Sequence, residues 1–302
     1  MNQINKSVQV LPNTSFQAFE TACGTIPYGM TNDYMFRAVL QTNNKVLRGL
    51  ICSLLHLTKE EVVSVEITNP ILLGESVESK EFRLDIMVLL NSRTTINLEM
   101  QVANKLNWTN RSVLYLCRSY DTPKRGEDYI EIMPAIHIGF LDYTLFEEYP
   151  EFYATYKLTN VKNNHVYSDN FILSVVDLSR IDLATEEDKA YRIDYWAALF
   201  KAKTWEEIKM IASKDKDIEE AAKTLFQFCT DEQVRKLCRD REEYYQDIRN
   251  YEHEIEKMSA AISEKDAAIA ERDTVIGQKD AALVEKDFII EGLLKELETL
   301  KK

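Results

Sequence analysis

Residues 82–102 read FRLDIMVLLNSRTTINLEMQV. Aliphatic residues alternate with other residues on both sides of the polar triplet 91–93, which predicts a β-hairpin with half-buried strands. The alternation places Asp85 on one face of the first strand and Glu99 on the matching face of the second. If the triplet forms a three-residue turn, paired residue numbers sum to 184, and Asp85 lies directly opposite Glu99.

Two carboxylates in this position would repel each other, because directly opposed side chains on a hairpin are about 4.5–5.5 Å apart at Cβ. A cation between them would remove the repulsion, and carboxylate oxygens suit Mg²⁺ or Mn²⁺. The alternative is a solvent-facing hairpin whose polar side happens to include two acids.

Helices and strands are predicted on both sides of the hairpin. Thr31, Asn32 and Asp33 offer capping side chains before a helix over 34–40. Apolar spacing predicts further helices over 45–57 and 107–120, and strands over 63–67, 130–140, 152–158 and 171–177. Helices on a mixed sheet are the natural packing for this order, which indicates an α/β fold.

The chain divides into four predicted regions. Residues 1–30 resemble an irregular lead-in, and residues 31–180 contain the hairpin and its neighbours. Residues 181–245 are predicted to form a helical region. Residues 246–302 form a charged helix with a seven-residue repeat, typical of a left-handed coiled coil.

In the repeat, one position per heptad carries a large aliphatic residue. The aliphatic residues are Ile262, Ile269, Ile276, Leu283, Ile290 and Leu297. A coiled coil needs a second apolar position in each heptad. Here that position carries Lys or Arg until Leu293 and Leu300. Residues 251–302 therefore predict either self-association or partner docking, or a solvated single helix held by local charge pairs.

Composition limits the classes of function. The net charge is −13, which disfavours a nucleic-acid binder, but residues 1–180 carry 16 Lys and Arg against 20 Asp and Glu. No apolar run has the length of a membrane helix or a signal peptide, so we expect a cytoplasmic protein. The five Cys are scattered and form no metal-binding pair. The four His are isolated, and we expect ordinary core or surface residues.

Several short motifs extend the hairpin into a longer pattern. They are N-D-x-x-F-R at 32–37, D-I at 85–86, L-E-M-Q at 98–101, R-x-x-x-Y at 111–115 and G-x-x-Y at 126–129. Their order and spacing resemble the PD-(D/E)XK nucleases, in particular the transposase-like recombination-promoting nuclease (Rpn) family. The resemblance covers residues 28–177 and implies a restriction-endonuclease-like core, with a mixed sheet flanked by helices. A helical region and a long C-terminal helix or coiled coil would follow it.

The resemblance implies a Mg²⁺- or Mn²⁺-dependent endonuclease that hydrolyses phosphodiester bonds of DNA. Asp85 and Glu99 would hold the metal together with the backbone carbonyl of Met100. Gln101 would position the attacking water, at a place where most PD-(D/E)XK nucleases carry Lys and the Rpn-like branch usually carries Gln.

Other residues take supporting roles in this interpretation. An amide carries no positive charge, so the charge is expected from Lys80 or Arg83. Arg111 and Tyr115 share one helical face and would contact phosphate or support Glu99; their alternative is helix packing. Asp33 is either an additional acid of the site or the helix N-cap, and the cap is slightly favoured.

Two classes of function remain open from the sequence. The first is an active nuclease in DNA recombination or in defence against foreign DNA. The second is a catalytically degenerate nuclease fold that acts as a binding or assembly module through its coiled-coil tail. True transposase activity is suggested only by the naming of the family.

Overall fold

The computed structural model describes residues 16–71, 85–104, 106–120 and 132–300. The helices are α1 (Phe16–Thr21), α2 (Asp33–Thr42), α3 (Asn44–Leu54), α4 (Trp108–Tyr120), α5 (Glu186–Ala190), α6 (Ile193–Lys201), α7 (Trp205–Ala212), α8 (Lys216–Thr230) and α9 (Glu232–Leu300). The strands are β1 (Val65–Ile67), β2 (Ile86–Leu90), β3 (Thr94–Gln101), β4 (Ala135–Leu141), β5 (Tyr153–Thr159) and β6 (Val166–Asp177).

The strands form one mixed sheet in the order β1-β2-β3-β4-β6-β5. The pairs β3–β4 and β4–β6 are parallel, and the other three pairs are antiparallel. The α/β fold with a mixed sheet and flanking helices, predicted from the order of elements, is confirmed.

The hairpin has the predicted register. Leu90 pairs with Thr94 and Ile86 with Leu98, so paired numbers sum to 184 along the ladder. Asn91 and Ser92 have positive φ angles of 50° and 53°, which turn the chain tightly enough for the three-residue connection. Asn tolerates this left-handed backbone better than most residues, which explains its place in the turn.

The two faces of the sheet are covered by different helices. Phe36 of α2 and Phe200 of α6 pack against Phe140 of β4, with ring centroids 5.4 and 5.2 Å from Phe140. On the opposite face α4 lies over β3, β4 and β6, and its Trp108 packs with Leu141 and Val175. Both faces of the central strands are therefore shielded from water.

The predicted helical region does not form a core of its own. Buried residues of α6, α7 and α8 belong to the same hydrophobic cluster as those of α2 and α3. Gly49 allows α3 to approach α8 closely, since an added Cβ would lie 2.8 Å from Asp217 Cβ. The boundary near residue 180 is therefore wrong as a division of the core, because the helices that follow it complete the core of the sheet domain.

The N-terminal prediction also requires a correction. The predicted irregular lead-in contains the helix α1, and Phe19 of that helix is buried against Trp205 and Phe226. Aromatic packing against distant helices fixes this segment, and a local pattern could not show it.

The chain separates into two units, Met1–Glu242 and Glu243–Lys302. We call them the sheet unit and the tail. Helix α9 begins at Glu232, before the predicted start of the long helix at residue 246, and its first residues Val234, Leu237 and Cys238 are buried in the sheet unit. No helix in the described ranges is long and apolar enough to cross a membrane.

The contact between α4 and β4 yields a prediction for stability. A Cβ added at Gly139 would lie 2.0 Å from Cζ2 of the buried Trp108. We expect Gly139→Ala to lower the free energy of unfolding by about 1–3 kcal/mol, because the indole must move in a close-packed layer. Urea unfolding followed by circular dichroism measures the change.

Gly29→Ala is the matched control, since its added Cβ would meet only the carbonyl oxygen of Ala202 at 3.5 Å. Equal stabilities of the two variants would contradict the packing of Trp108 on Gly139.

Candidate active site

Glu99 lies on the face of β3 that α4 covers. The apolar residues Ile96, Leu98 and Met100 of this strand face the main core, while the alternate residues Asn97 and Glu99 face α4. The Glu99 side chain is only 4% exposed. The predicted alternation of the strand is confirmed, and its polar face is buried and not exposed to solvent.

Arg111 of α4 forms an ion pair with the buried carboxylate through Nη2 and Glu99 Oε1. Its Nη1 donates to Gln101 Oε1 at 3.4 Å, and Gln101 Nε2 donates in turn to the backbone oxygen of Ala103 at 2.8 Å. The guanidinium carbon lies 5.3 Å from the ring centroid of Tyr115. Arg111 is therefore held by contacts with Glu99, Gln101 and Tyr115. The structure brings both residues of the predicted R-x-x-x-Y motif together with the hairpin acid.

His137 of β4 completes the surroundings of Glu99. It pairs in register with Asn97, is fully buried, and places Nε2 3.7 Å from Glu99 Oε2. Its Nδ1 lies 3.1 Å from Nδ2 of Asn97, and an amide nitrogen only donates, so Nδ1 accepts and the ring proton is on Nε2. Burial, reinforced by Arg111, lowers the pKa of His137 to about 3, so the ring is neutral.

Burial raises the pKa of Glu99 from its ordinary value of 4.5 to about 7. The positive charge of Arg111 opposes this shift, whereas the carboxylates of Asp85 and Asp33 add to it. Within the described part of the chain, Glu99 Oε2 has no hydrogen-bond partner. As far as the described residues show, the site contains a desolvated carboxylate with an unsatisfied oxygen, which is unusual for a purely structural residue.

Asp85 immediately precedes β2. The β2–β3 ladder begins at Ile86, and continuing its register by one residue would place Asp85 opposite Glu99. The Asp85 carbonyl oxygen accepts hydrogen bonds from Nη1 of Arg37 and, at 3.0 Å, from Nδ2 of Asn69. The backbone of this acid is therefore fixed by two side chains on other elements.

Arg37 links α2 to the hairpin from inside the protein. Its side chain is fully buried and also donates through Nη2 to the backbone oxygen of Asn69. Burial lowers the pKa of Arg37 to about 10, and the nearby Asp85 acts in the opposite direction. The guanidinium remains charged at neutral pH and holds the segment that carries Asp85.

The direction of the Met100 carbonyl follows from the backbone pairing of β3. Thr95 N–H donates to Pro134 O at 2.9 Å, and Gln101 O accepts from Asp142 N–H at 3.1 Å, so odd-numbered residues bond toward β4. Carbonyl directions alternate along a strand, so Met100 directs its carbonyl oxygen toward the β2 side. This is the side on which Asp85 lies.

Asp33 does not occupy the N-cap position that its sequence context favoured. Asn32, and not Asp33, caps α2, because Asn32 Oδ1 accepts from Met35 N–H at 3.2 Å. Asp33 is the first residue of the helix, and both of its carboxylate oxygens contact Arg241 of α9. The prediction of Asp33 as the cap is wrong, and its buried ion pair fixes the start of α9.

Some predicted residues lie outside the described ranges, and others were overlooked. Lys80, Arg83 and the G-x-x-Y motif fall in residues 72–84 and 121–131, which the structure does not describe. From the sequence we expected His137 to be an ordinary residue. Its position beside Glu99 could not be predicted, because only the parallel register of β3 and β4 brings the two residues together. The partner Arg241 is 208 residues from Asp33, and no local pattern connects them.

A comparison with protein-family models gives one match, described as PD-(D/E)XK nuclease family transposase, over residues 30–254. The chain belongs to this family. The match covers about three quarters of the 302 residues and includes the hairpin, α4 and the first part of α9. No curated protein and no solved structure gave a significant match.

PD-(D/E)XK nucleases generally use divalent metals, and the residues of this chain are suited to hold one. Among the described residues, Glu99 Oε2 is a buried oxygen without a hydrogen bond, and the Met100 carbonyl points to the side of Asp85. Oxygen donors of this kind fit Mg²⁺ or Mn²⁺. The described residues contain no cluster of three or more His, Cys, Asp or Glu, so water and substrate oxygens would complete the coordination.

The raised pKa of Glu99 predicts a pH dependence of stability in metal-free buffer. The folded state binds the Glu99 proton more tightly than the unfolded chain, since the folded pKa of about 7 exceeds 4.5. Stability contributed by the protonated form is present below about pH 4.5 and is lost as the pH rises through about 7. The loss is at most about 3 kcal/mol.

Urea unfolding of the wild type and of Glu99→Gln, both in EDTA, measures this effect. The stability difference between the two proteins should shift in favour of Glu99→Gln on going from about pH 5 to about pH 8. Glu66→Gln, at an exposed carboxylate of β1, is the control and should show no such shift. A pH-independent difference for Glu99→Gln would contradict the raised pKa.

Proposed function

We propose that this chain is a divalent-metal-dependent endonuclease that hydrolyses phosphodiester bonds of DNA at Asp85 and Glu99. The observation that carries the proposal is the buried Glu99 carboxylate, whose Oε2 lacks a hydrogen-bond partner in the described ranges. Continuing the β2–β3 register by one residue would place Asp85 opposite it. A carboxylate costs free energy when it is buried, and a cation bound by both acids offsets that cost. Membership of the nuclease family supports the choice of reaction.

The residues around the acids have separate tasks in the proposed reaction. When bound, a Mg²⁺ or Mn²⁺ ion would polarise the phosphate and lower the pKa of a water ligand. Asp85, Glu99 and the Met100 carbonyl would hold it. Arg111, whose side chain is 33% exposed, keeps positive charge at the solvent side of Glu99 and would favour approach of a phosphate.

Gln101 orients Arg111 through its Oε1 atom. Its Nε2 atom donates to Ala103 O and carries a second hydrogen, which is the group that would orient the attacking water. Since an amide has no charge, we propose that Arg111 supplies the positive charge that Lys provides in D/E-x-K sites. The word transposase in the family description favours a role in DNA recombination, and defence against foreign DNA is the other setting. We propose the cytoplasm as the compartment, in agreement with five free thiols.

Cleavage of supercoiled plasmid DNA tests the activity. We expect nicking by the purified 302-residue chain with Mg²⁺ or Mn²⁺ and none with EDTA. Asp85→Asn and Glu99→Gln should each reduce the rate by at least about 100-fold, which corresponds to about 2.7 kcal/mol of lost transition-state stabilisation. Glu66→Gln should cleave like the wild type, because this carboxylate is exposed on β1.

The possible outcomes distinguish a wrongly assigned site from an absence of nuclease activity. Cleavage by Glu99→Gln at the wild-type rate would place the activity elsewhere or in a contaminant. Absence of metal-dependent cleavage by the folded wild type would contradict the nuclease proposal and favour a degenerate fold that works as a binding module.

Metal binding gives a second prediction with a readout that does not depend on cleavage. Titration of Mn²⁺ followed by electron paramagnetic resonance should show one bound ion that Mg²⁺ displaces. Asp85→Asn should weaken binding at least about 10-fold, because a metal held by few protein oxygens depends on each carboxylate. Arg118→Gln, at an exposed residue of α4, is a control that should leave the affinity unchanged. Equal affinities of wild type and Asp85→Asn would contradict the assignment of Asp85 as a ligand.

A further inference from the structure

The tail presents a line of exposed aliphatic side chains. They recur every seven residues along α9 and are between 53% and 59% exposed. We call them the aliphatic stripe, formed by Ile262, Ile269, Ile276, Leu283 and Ile290. A protein normally exposes such residues singly, so a continuous line of them indicates a surface that another molecule covers.

Charged residues border the aliphatic stripe on both sides. The basic stripe follows it by three positions and consists of Lys265, Arg272, Lys279 and Lys286. The acidic stripe follows it by four positions and consists of Asp266, Asp273, Asp280 and Asp287. Since each helical residue advances by about 100°, these stripes lie about 60° to one side and about 40° to the other side of the aliphatic stripe.

The stripe charges cannot neutralise each other within one helix. Charged side chains on a helix pair at spacings of three or four residues. In the sequence, no residue of either stripe has an opposite charge at those spacings, where Ile and Ala are the commonest residues. Local charge pairs therefore do not stabilise this part of the tail. This argues against the alternative of a solvated single helix held by such pairs.

We propose that the tail pairs with the tail of a second copy of this chain, parallel and in register. A two-fold axis along parallel helices brings the aliphatic stripes together and places the basic stripe of each copy beside the acidic stripe of the other. In an antiparallel pair, the two-fold axis is perpendicular to the helices. Each charged stripe would then face the stripe of the same charge on the other copy. Opposite charges at the flanks favour the parallel pair, as flanking charges do in coiled coils.

The heights of the residues along the helix agree with this pairing. Lys265 and Asp266 are one residue apart, which is about 1.5 Å along the axis, so Lys265 lies nearly level with Asp266 of the second copy. The same relation repeats in each of the four heptads. Met258 and Leu293 occupy the positions of the basic stripe at its two ends, where they add apolar contacts to the seam.

Sedimentation equilibrium of the 302-residue chain tests the association. We expect twice the mass of the chain for the wild type, and at least a 10-fold weaker association for I269A/I276A. Alanine has a higher helix propensity than isoleucine, so a lost helix would not explain that result. V284A is the control, because Val284 is 70% exposed and lies outside all three stripes. A monomeric wild type, or an unchanged dimer in I269A/I276A, would overturn the proposal.

Charge reversal tests the flanking stripes. The variants K265E/R272E/K279E/K286E and D266K/D273K/D280K/D287K should each fail to self-associate, because both flanks then carry one sign. An equal mixture of the two should form a heterodimer, and that result shows that each variant remains able to pair. Self-association of either variant as tight as that of the wild type would contradict the role of the charges.

Cysteine cross-linking determines the direction of the pair. Ile255 continues the aliphatic stripe by one heptad, and its substitution I255C is made in a C23S/C117S background because Cys23 and Cys117 are exposed. A parallel pair places the two introduced thiols side by side and gives a disulfide-linked dimer on a non-reducing gel. In an antiparallel pair they would be about 50 Å apart, so absence of the cross-link in the associated protein would overturn the parallel arrangement.

Discussion

A carboxylate under a helix requires compensation, and the surroundings of Glu99 supply it. Removal of an ionised acid from water costs several kcal/mol unless a counter-charge and hydrogen bonds replace the water. Arg111 provides the counter-charge, Gln101 orients Arg111, and neutral His137 lies beside the second oxygen. The compensation is incomplete, because Oε2 makes no hydrogen bond within the described ranges. A site that requires a cation leaves its acid in this condition, whereas a structural acid would be fully satisfied.

Much of the hairpin could be predicted from local patterns. Alternation of apolar residues and the length of the polar triplet predicted the register that pairs Ile86 with Leu98 and Leu90 with Thr94. These features depend on the two-residue period of a strand and on turn geometry, which act over short distances. The same applies to α2, although the capping residue is Asn32 and not Asp33. Neighbouring Asn and Asp have nearly equal capping preferences, so sequence alone could not separate them.

The unpredicted features depend on contacts between distant parts of the chain. His137 reaches Glu99 through a parallel pairing of β3 and β4, and a parallel pair leaves no local signature of its register. The helices that follow β6 were predicted as a separate region. Each has an amphipathic pattern, but such a pattern does not show which element the apolar face contacts. Their apolar faces meet α2 and α3 in a single core, which also receives Phe19 and Cys238.

The span of that core has a consequence for the order of events during synthesis. A chain that emerges from the ribosome makes its β-hairpin early, but the buried partners of α2 follow late, and Arg241 pairs with Asp33 across 208 residues. Arg37 of α2 holds the carbonyl of Asp85, so the acid acquires its final position only when α2 is seated. The contacts that fix α2 and the Asp85 backbone are therefore complete only when almost the whole sheet unit has been translated. Products truncated before residue 241 would therefore carry Asp85 and Glu99 without the ion pair that joins α2 to α9.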